Sequence, residues 1–291
     1  PTTIEVNPFL ADLIEAKLAR YDVQGLLADY GEVIDRSARE GPRLDGGSAQ
    51  WPPTMVEPGL DGRWIFPQDT FRRIRALAQS IAAVQDAQNR RLMRVLLGSI
   101  VVEMSNVTIS GKGRRYRGNW REKQKRPTDV SAAFRRAFDE AFADITVHGH
   151  RSCTDYRLLR GDARQCLVNV PEVDVALFSP PYPNSFDYTD IYNVELWALG
   201  YLRTREENTR LRNATLRSHV QIGRDMSWGD LRSKSLVSTV RALKRRADQL
   251  WNPRIPDMIG AYFADLYVVL SRIRAKLNPD GAVMMTVGDS R

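Results

Sequence analysis

Apolar positions along this chain switch between a two-residue and a 3.6-residue period, and the switches outline its elements. Thr3-Ile4-Glu5-Val6 is a short β-like run, and Asn7-Pro8 then opens a helix carrying Leu10, Leu13, Ile14 and Leu18 at helical spacing. Phe71, Ile74, Leu77 and Ile81 predict a second helix capped by Asp69-Thr70; Leu92, Leu96, Ile100 and Met104 predict a third. Thr128 or Asp129 caps a fourth, in which Val130, Phe134, Phe138 and Phe142 recur every four residues. These stripes read as core. Tyr156 to Arg160 reads as a strand and Asp174 to Phe178 as a buried strand, an apolar run with β-branched and aromatic members. A helix from Asp190 puts Ile191, Val194, Trp197 and Tyr201 on one face, with Trp197 filling the core against the sheet. Another, from Trp228 to about Leu250, displays Arg232, Lys234, Arg241 and Lys244. The most regular helix starts at Pro256 with Ile259, Phe263, Leu266, Leu270, Ile273 and Leu277 on its stripe. Asn278-Pro279-Asp280-Gly281 then turns the chain into a last strand over Ala282 to Val287.

Strand, acidic end, helix; strand, Gly-Asp-Ala; strand, helix; helix, Asn-Pro-Asp-Gly, strand: this alternation predicts an α/β fold with a doubly wound, mostly parallel sheet and a large helical insertion. Right-handed crossovers then bring Glu5, Asp162 and Ser179 to one carboxyl edge, where open α/β sheets bind ligands. Residues 1–20, 151–202 and 256–291 form the core. Residues 21–150 are a helical and irregular insertion, rich in Gly and Pro over 41–68, and 203–255 form a variable basic helical region. The chain starts at Pro1 and stops at Arg291 directly after a strand-like run, which reads as a piece of a longer polypeptide.

Composition narrows the function. The 291 residues are 43% hydrophobic and 27% charged, the balance of a soluble globular protein. No apolar run approaches the roughly 18 residues that span a membrane, and no secretory signal opens the chain. Cys153 and Cys166 are the only cysteines, so neither a disulfide framework nor a zinc site is indicated and a cytoplasmic setting is expected. His148 and His150 have no further His or Cys cluster to complete a metal site, and read as loop residues. Of the net charge of +8, almost all is concentrated in one place, because residues 112–126 hold eight Lys or Arg against one Glu. Within the glycine-hinged segment 111–126, Lys112, Arg114, Arg115 and Arg117 are placed to neutralise phosphates while Tyr116 or Trp120 stacks against bases.

The chemistry converges on Ser179-Pro180-Pro181-Tyr182. Two prolines stiffen the loop and remove two donors, leaving the Pro180 carbonyl as an acceptor. Ser179 adds a second acceptor and Tyr182 a flat ring. Together they form a receptor for a planar group bearing an NH₂, such as the edge of adenine or cytosine. An exocyclic amine is conjugated with its ring; accepting both its hydrogens favours a pyramidal nitrogen with a localised lone pair, so catalysis is mostly orientation and electrostatics.

On these residues the chain resembles the S-adenosylmethionine-dependent DNA amino-methyltransferases, which methylate N4 of cytosine or N6 of adenine. The resemblance covers Thr3 to Leu18, Leu158 to Leu202 and Met258 to Asp289. It implies catalytic roles for Ser179, Pro180, Pro181 and Tyr182, a ribose contact for Glu5, and a cofactor-adenine contact for Asp162 and Ala163. S-adenosylmethionine is the implied cofactor, DNA the implied partner, and a cognate restriction endonuclease a possible one. Ser in the first position of the tetrapeptide resembles the N4-cytosine enzymes. The cytosine C5 enzymes need a thiolate after a proline, whereas Cys153 follows Ser152 and Cys166 follows Gln165. The family's Phe-x-Gly-x-Gly loop belongs just before Glu5 and is not in the sequence, so the chain alone is expected to be inactive. An RNA or protein amide methyltransferase of the same fold, or a nucleic-acid-binding protein without catalysis, fits the same pattern.

Overall fold

The computed structural model describes residues 1–39, 50–110, 113–149, 155–183, 187–229, 231 and 233–288; Lys112, His150, Cys153 and Arg232 lie outside the described residues. In chain order the elements are β1 (Thr2–Glu5), α1 (Pro8–Leu18), α2 (Val23–Arg39), α3 (Gln68–Ala82), α4 (Ala87–Val101), β2 (Val107–Ser110), β3 (Gly113–Tyr116), α5 (Pro127–His148), β4 (Arg157–Arg160) and α6 (Ala163–Cys166). There follow β5 (Val173–Phe178), α7 (Tyr188–Ile191), α8 (Asn193–Ala198), α9 (Arg205–Asn213), α10 (Lys234–Lys244), α11 (Ile255–Arg274) and β6 (Leu277–Met285). The fold is mixed α/β with short parallel strand pairs, and it divides into two compact units. One holds residues 1, 7–158 and 190–209, the other residues 2–6, 159–189 and 210–291. Among the described residues no helix is long and apolar enough to cross a membrane.

The first unit is helical. Asn7 caps α1, its Oδ1 accepting from Phe9 N at 3.0 Å and Leu10 N at 3.4 Å, with Pro8 in the first turn, where a missing N–H costs nothing. α5 starts at Pro127, earlier than expected, and Asp129 acts from inside its first turn, where Oδ2 accepts from Arg126 N at 2.8 Å. The apolar stripes are core as predicted: Phe71, Ile74, Leu77, Val130 and Phe134 are fully buried. At about 2–3 kcal/mol for each fully buried large side chain, such stripes dominate the stability of this unit. Helix α2 was not anticipated, because polar residues and Gly25 and Gly31 dilute its stripe; Leu26 and Val33 are nonetheless buried, and Tyr30 stacks on Phe138 at 3.7 Å.

Two expectations are corrected here. Trp197 is buried, but its helix α8 packs on α1, α3 and α4, not on a sheet. The segment around Arg114 is not a loop but an antiparallel hairpin in which Val107 pairs with Tyr116 and Ser110 with Gly113. The β-branched run Val107-Thr108-Ile109 supplies the strand preference that the basic residues obscured.

The parallel strand pairs fall mainly in the second unit. β1 pairs with β4, and the bonds Arg157 N to Pro1 O (2.8 Å) and Gly161 N to Glu5 O (3.0 Å) advance together along both strands, the parallel sense. β5 pairs with β6 in parallel. Asn278–Gly281, expected as a turn before the last strand, lies inside β6 as an irregularity: Val173 pairs with Leu277, but Val175 pairs with Ala282. Asn278 Nδ2 donates to Asp174 Oδ1 at 2.6 Å, and a Cβ on Gly281 would stand 3.1 Å from Asp174 O. Helix α10 is shorter than the stretch predicted from Trp228.

α11 has the expected bounds, but its buried face is rotated from the predicted stripe. Of the predicted stripe, Leu266 and Ile273 are buried and Ile259 and Leu270 pack at the edge of the core, while Phe263 is 38% exposed; the buried face extends instead to Met258, Ala261, Tyr262, Asp265 and Val269. The buried face includes a carboxylate, Asp265, which apolar periodicity cannot anticipate. The strand pair also has an uncovered face, with Val175 54%, Leu177 73% and Met284 57% exposed. Between β1 and β5 lies a cavity of about 360 Å³, walled by Thr2 and Ile4 on one side and Val173, Ala176 and Phe178 on the other.

Helix α4 tests the packing of the helical unit. A Cβ on Gly98 would stand 2.3 Å from Phe9 Cε2 and 3.0 Å from Leu199 Cδ1, whereas one on Gly31 of α2 meets nothing within 4 Å. Alanine in mid-helix gains about 0.5–1 kcal/mol over glycine where it fits. Gly31→Ala is therefore expected to stabilise by about that amount, and Gly98→Ala to cost about 1–3 kcal/mol through overpacking, measured by denaturant unfolding. Equal effects at both positions would show that the α1–α4 contact is not tight at Gly98.

Candidate active site

The predicted site residues of the sheet edge do meet. Glu5, Gly161, Asp162, Ala163 and Ser179 to Tyr182 line one cavity of about 520 Å³, closed on another side by Ala214 to Leu216, Ser218 and His219. All of these residues belong to the second unit. The basic residues Arg114, Arg115, Tyr116 and Arg117 belong to the first.

Each wall has a local cause. β1 ends at Glu5, whose carbonyl accepts from Gly161 N. Gly161 has φ +142°, a conformation glycine adopts without strain, and the chain leaves β4 there to start α6. Asp162 caps α6, accepting from Arg164 N at 2.8 Å. Its carboxylate is also held by the Arg164 guanidinium, at 3.0 Å from Nε and 2.7 Å from Nη2. This pairing was not anticipated, and much of the acceptor capacity of Asp162 is already used within the chain.

β5 delivers the tetrapeptide. The β6 partner continues past its last paired residue, since Thr286 N donates to Phe178 O at 3.1 Å. The Ser179 hydroxyl in turn donates to Thr286 O at 3.0 Å. Because a hydroxyl has one hydrogen and two lone pairs, spending the hydrogen on a backbone carbonyl leaves Ser179 Oγ as an acceptor. Pro180 is buried, and among the described residues no backbone N–H is bonded to its carbonyl. The Tyr182 ring lies against the backbone at Gly288, where an added Cβ would stand 2.7 Å from the phenol oxygen. Ser179, Pro180 and Tyr182 thus line the same cavity.

Beneath this edge lies an ionic network that no motif announced. Asp265 of α11, with a side chain 5% exposed, pairs with Arg164 at 2.8 Å and with Arg217 at 2.8 Å. Arg217 N also donates to Asp265 Oδ2 at 2.9 Å. Burial alone would raise the Asp265 pKa, but the Arg217 hydrogen bonds and the two guanidinium charges hold it below the usual carboxylate range. Arg224 donates to Arg212 O at 3.0 Å and Leu216 O at 2.8 Å; burial pushes it down to about 10 despite Asp265 and Asp187. Asp187 is paired with Arg212 and lies 3.4 Å from His219 Nε2. Burial opposes its ionisation, yet His219, Thr189 and Arg212 hold its carboxyl far below the normal range. The ion-paired partners lie 25 to 101 residues apart in sequence, so only the fold identifies them.

The basic hairpin also departs from expectation in detail. Trp120, predicted to stack on bases, is 8% exposed and meets Trp64 edge-on at 4.9 Å; Tyr116 packs on Trp120 at 5.1 Å. Arg115 bonds Ser110, Arg117 Nη2 donates to Val102 O at 2.9 Å, and Arg114 lies 4.0 Å from Asp190. Among the described residues no group of three or more His, Cys, Asp or Glu forms a metal site.

Asp265→Asn is expected to cost about 3–5 kcal/mol, because it strands two largely buried guanidinium groups. The sign with pH follows from the depressed folded pKa: the contribution of Asp265 is present above its unfolded value and is lost as pH falls below it. Denaturant unfolding between pH 3 and 7 should therefore show a steeper acid loss in wild type than in Asp265→Asn. Parallel profiles would remove Asp265 from the network.

No family model, curated protein or solved structure matches this chain.

Proposed function

We propose that the chain is the methyl-acceptor part of an S-adenosylmethionine-dependent amino-methyltransferase acting on a base flipped out of DNA, with cytosine N4 favoured over adenine N6. The observation that carries this reading is the single 520 Å³ cavity that gathers Glu5, Asp162 and Ser179 to Tyr182. Its volume is in the range of small-molecule sites, about 300–1,000 Å³.

The residues present fit the cofactor in part. Glu5 ends a strand at the cavity and is suited to a ribose diol, and Ala163 provides apolar wall. Asp162 is a weaker candidate for an adenine contact than the motif implied, given its pairing with Arg164. When bound, S-adenosylmethionine supplies an electrophilic methyl group on a sulfonium. The chain's own part is to hold the amine: Ser179 Oγ and Pro180 O accept its two hydrogens, and the Tyr182 ring stacks on the base. Localising the lone pair makes the nitrogen nucleophilic, and the stiff Pro180-Pro181 unit holds it with little reorganisation.

The finer fold reading is a doubly wound sheet of order β4-β1-x-β5-β6, in which a further strand x enters the cavity between β1 and β5. Two features support it. Parallel sheets of doubly wound folds carry helices on both faces, and the exposed apolar face of Val175, Leu177 and Met284 is suited to such a helical layer. A strand in that cavity would also end at the same edge as Glu5 and Ser179, where a glycine-rich loop seats a cofactor. The hairpin with Arg114, Arg115 and Arg117 supports a polyanionic substrate.

The test uses the full-length protein with methyl-labelled S-adenosylmethionine and duplex DNA, transfer RNA or protein as acceptor. Transfer to DNA is expected; transfer only to RNA or protein would redirect the reading. Ser179→Ala and Tyr182→Ala are expected to lower turnover by at least about 100-fold while the cofactor Kd stays nearly constant. Undiminished turnover in Ser179→Ala would remove Ser179 from the chemistry.

A further inference from the structure

The helical unit holds a second cavity, of about 590 Å³, formed by α3, α4, the end of α8 and Trp51. Its charge is unusual. Five arginines, Arg75, Arg90, Arg91, Arg94 and Arg203, line it against one carboxylate, Asp12. That carboxylate is already shared: it lies 3.7 Å from Arg91 and 3.9 Å from Arg94 and accepts from Tyr201 Oη at 2.5 Å. Arg91 is further paired with Glu15 at 2.9 Å. Among the described residues Arg75, Arg90 and Arg203 have no carboxylate within ion-pair distance.

Four of these arginines, Arg75, Arg90, Arg91 and Arg94, are held in place by their side chains, and Arg203 by its backbone. Arg75 Nη1 donates to Ala198 O at 3.0 Å, and its guanidinium sits 5.8 Å from the Trp51 ring. Arg94 Nη2 donates to Leu199 O at 3.1 Å, and its guanidinium lies 3.5 Å from the Tyr201 ring centroid. Arg90 Nη1 donates to Val84 O. Fixed guanidinium forks around a concavity are suited to bidentate binding of phosphate oxygens, and less ordering entropy is lost when the donors are already fixed. Burial, together with the charges of Arg203 and Arg94, disfavours the protonated form of Arg75, so the cluster carries mutual repulsion that a polyanion relieves.

We propose that this cavity binds a phosphate-bearing ligand through Arg75, Arg90 and Arg203, as a site separate from the cavity that holds Ser179. The shared chemistry is the phosphate group, with a free nucleotide or a nucleic-acid backbone as its two possible sources. The inference does not depend on methyl transfer.

Isothermal titration of the full-length protein with inorganic pyrophosphate, a nucleoside triphosphate and a short duplex oligonucleotide tests it. Pyrophosphate is expected to bind, and Arg203→Ala to weaken it about tenfold, the loss of one charge-assisted contact. Arg75→Lys, which keeps the charge and loses the fork, is expected to weaken it similarly, while Arg135→Ala, exposed on α5, leaves it unchanged. Variants are compared at matched circular dichroism and unfolding midpoint. Tighter binding of the triphosphate than of pyrophosphate identifies a free nucleotide as the source; oligonucleotide displaced by pyrophosphate identifies the backbone. No binding of any of the three, or binding indifferent to both Arg203→Ala and Arg75→Lys, overturns the proposal.

Discussion

The pairing of Asp265 with Arg164 and Arg217 is the constraint on which the sheet-edge cavity depends. Arg164 ties the turn at Asp162 to helix α11, and Arg217 ties the segment that carries Ala214 to His219 to the same carboxylate. Two walls of the cavity therefore hang on one buried side chain. Burying three charges is costly in itself, and a buried ion pair contributes little net stability over an apolar replacement. What it does supply is position, since guanidinium forks accept few arrangements and the partners come from three distant stretches of chain.

The acceptor geometry rests on a second, smaller device. Strand β6 continues past its last paired residue to Thr286, whose N–H bonds Phe178 and whose carbonyl takes the Ser179 hydrogen. One backbone residue thereby fixes the end of β5 and sets the direction in which the Ser179 hydroxyl donates. Gly288, close behind, leaves space for Tyr182. In the proposed mechanism these contacts keep Ser179 an acceptor, which an amine bearing two hydrogens requires.

Much of this was legible in the sequence, for identifiable reasons. Regular apolar stripes marked α3, α4, α5 and α11, because burial imposes the 3.6-residue period directly. Asn7-Pro8 marked the start of α1 and Gly161-Asp162 the end of β4, whereas the start of α6 at Asp162 was not anticipated, because Gly161-Asp162-Ala163 reads as a polar turn. That order of elements places Glu5, Asp162 and Ser179 at one edge, and they line one cavity. What escaped were features carried by polar residues at long range. Asp265 lies on the buried face of α11, the arginines of the helical unit converge from two helices and a loop, and Arg164 pairs with Asp162. Hairpin β2–β3 was not legible because each strand has only four residues and Gly113-Arg114-Arg115-Tyr116 has little strand preference of its own. Local propensity and periodicity do not encode such tertiary pairings.

The most direct measurement is the identity of the product. Unmethylated duplex DNA is incubated with the full-length protein and S-adenosylmethionine bearing a deuterated methyl group, then digested to nucleosides and analysed by mass spectrometry. The proposed amine receptor predicts a labelled N4-methylcytosine, or N6-methyladenine if the pocket takes adenine. Label on cytosine C5, or none in any nucleoside while the cofactor binds, would contradict it.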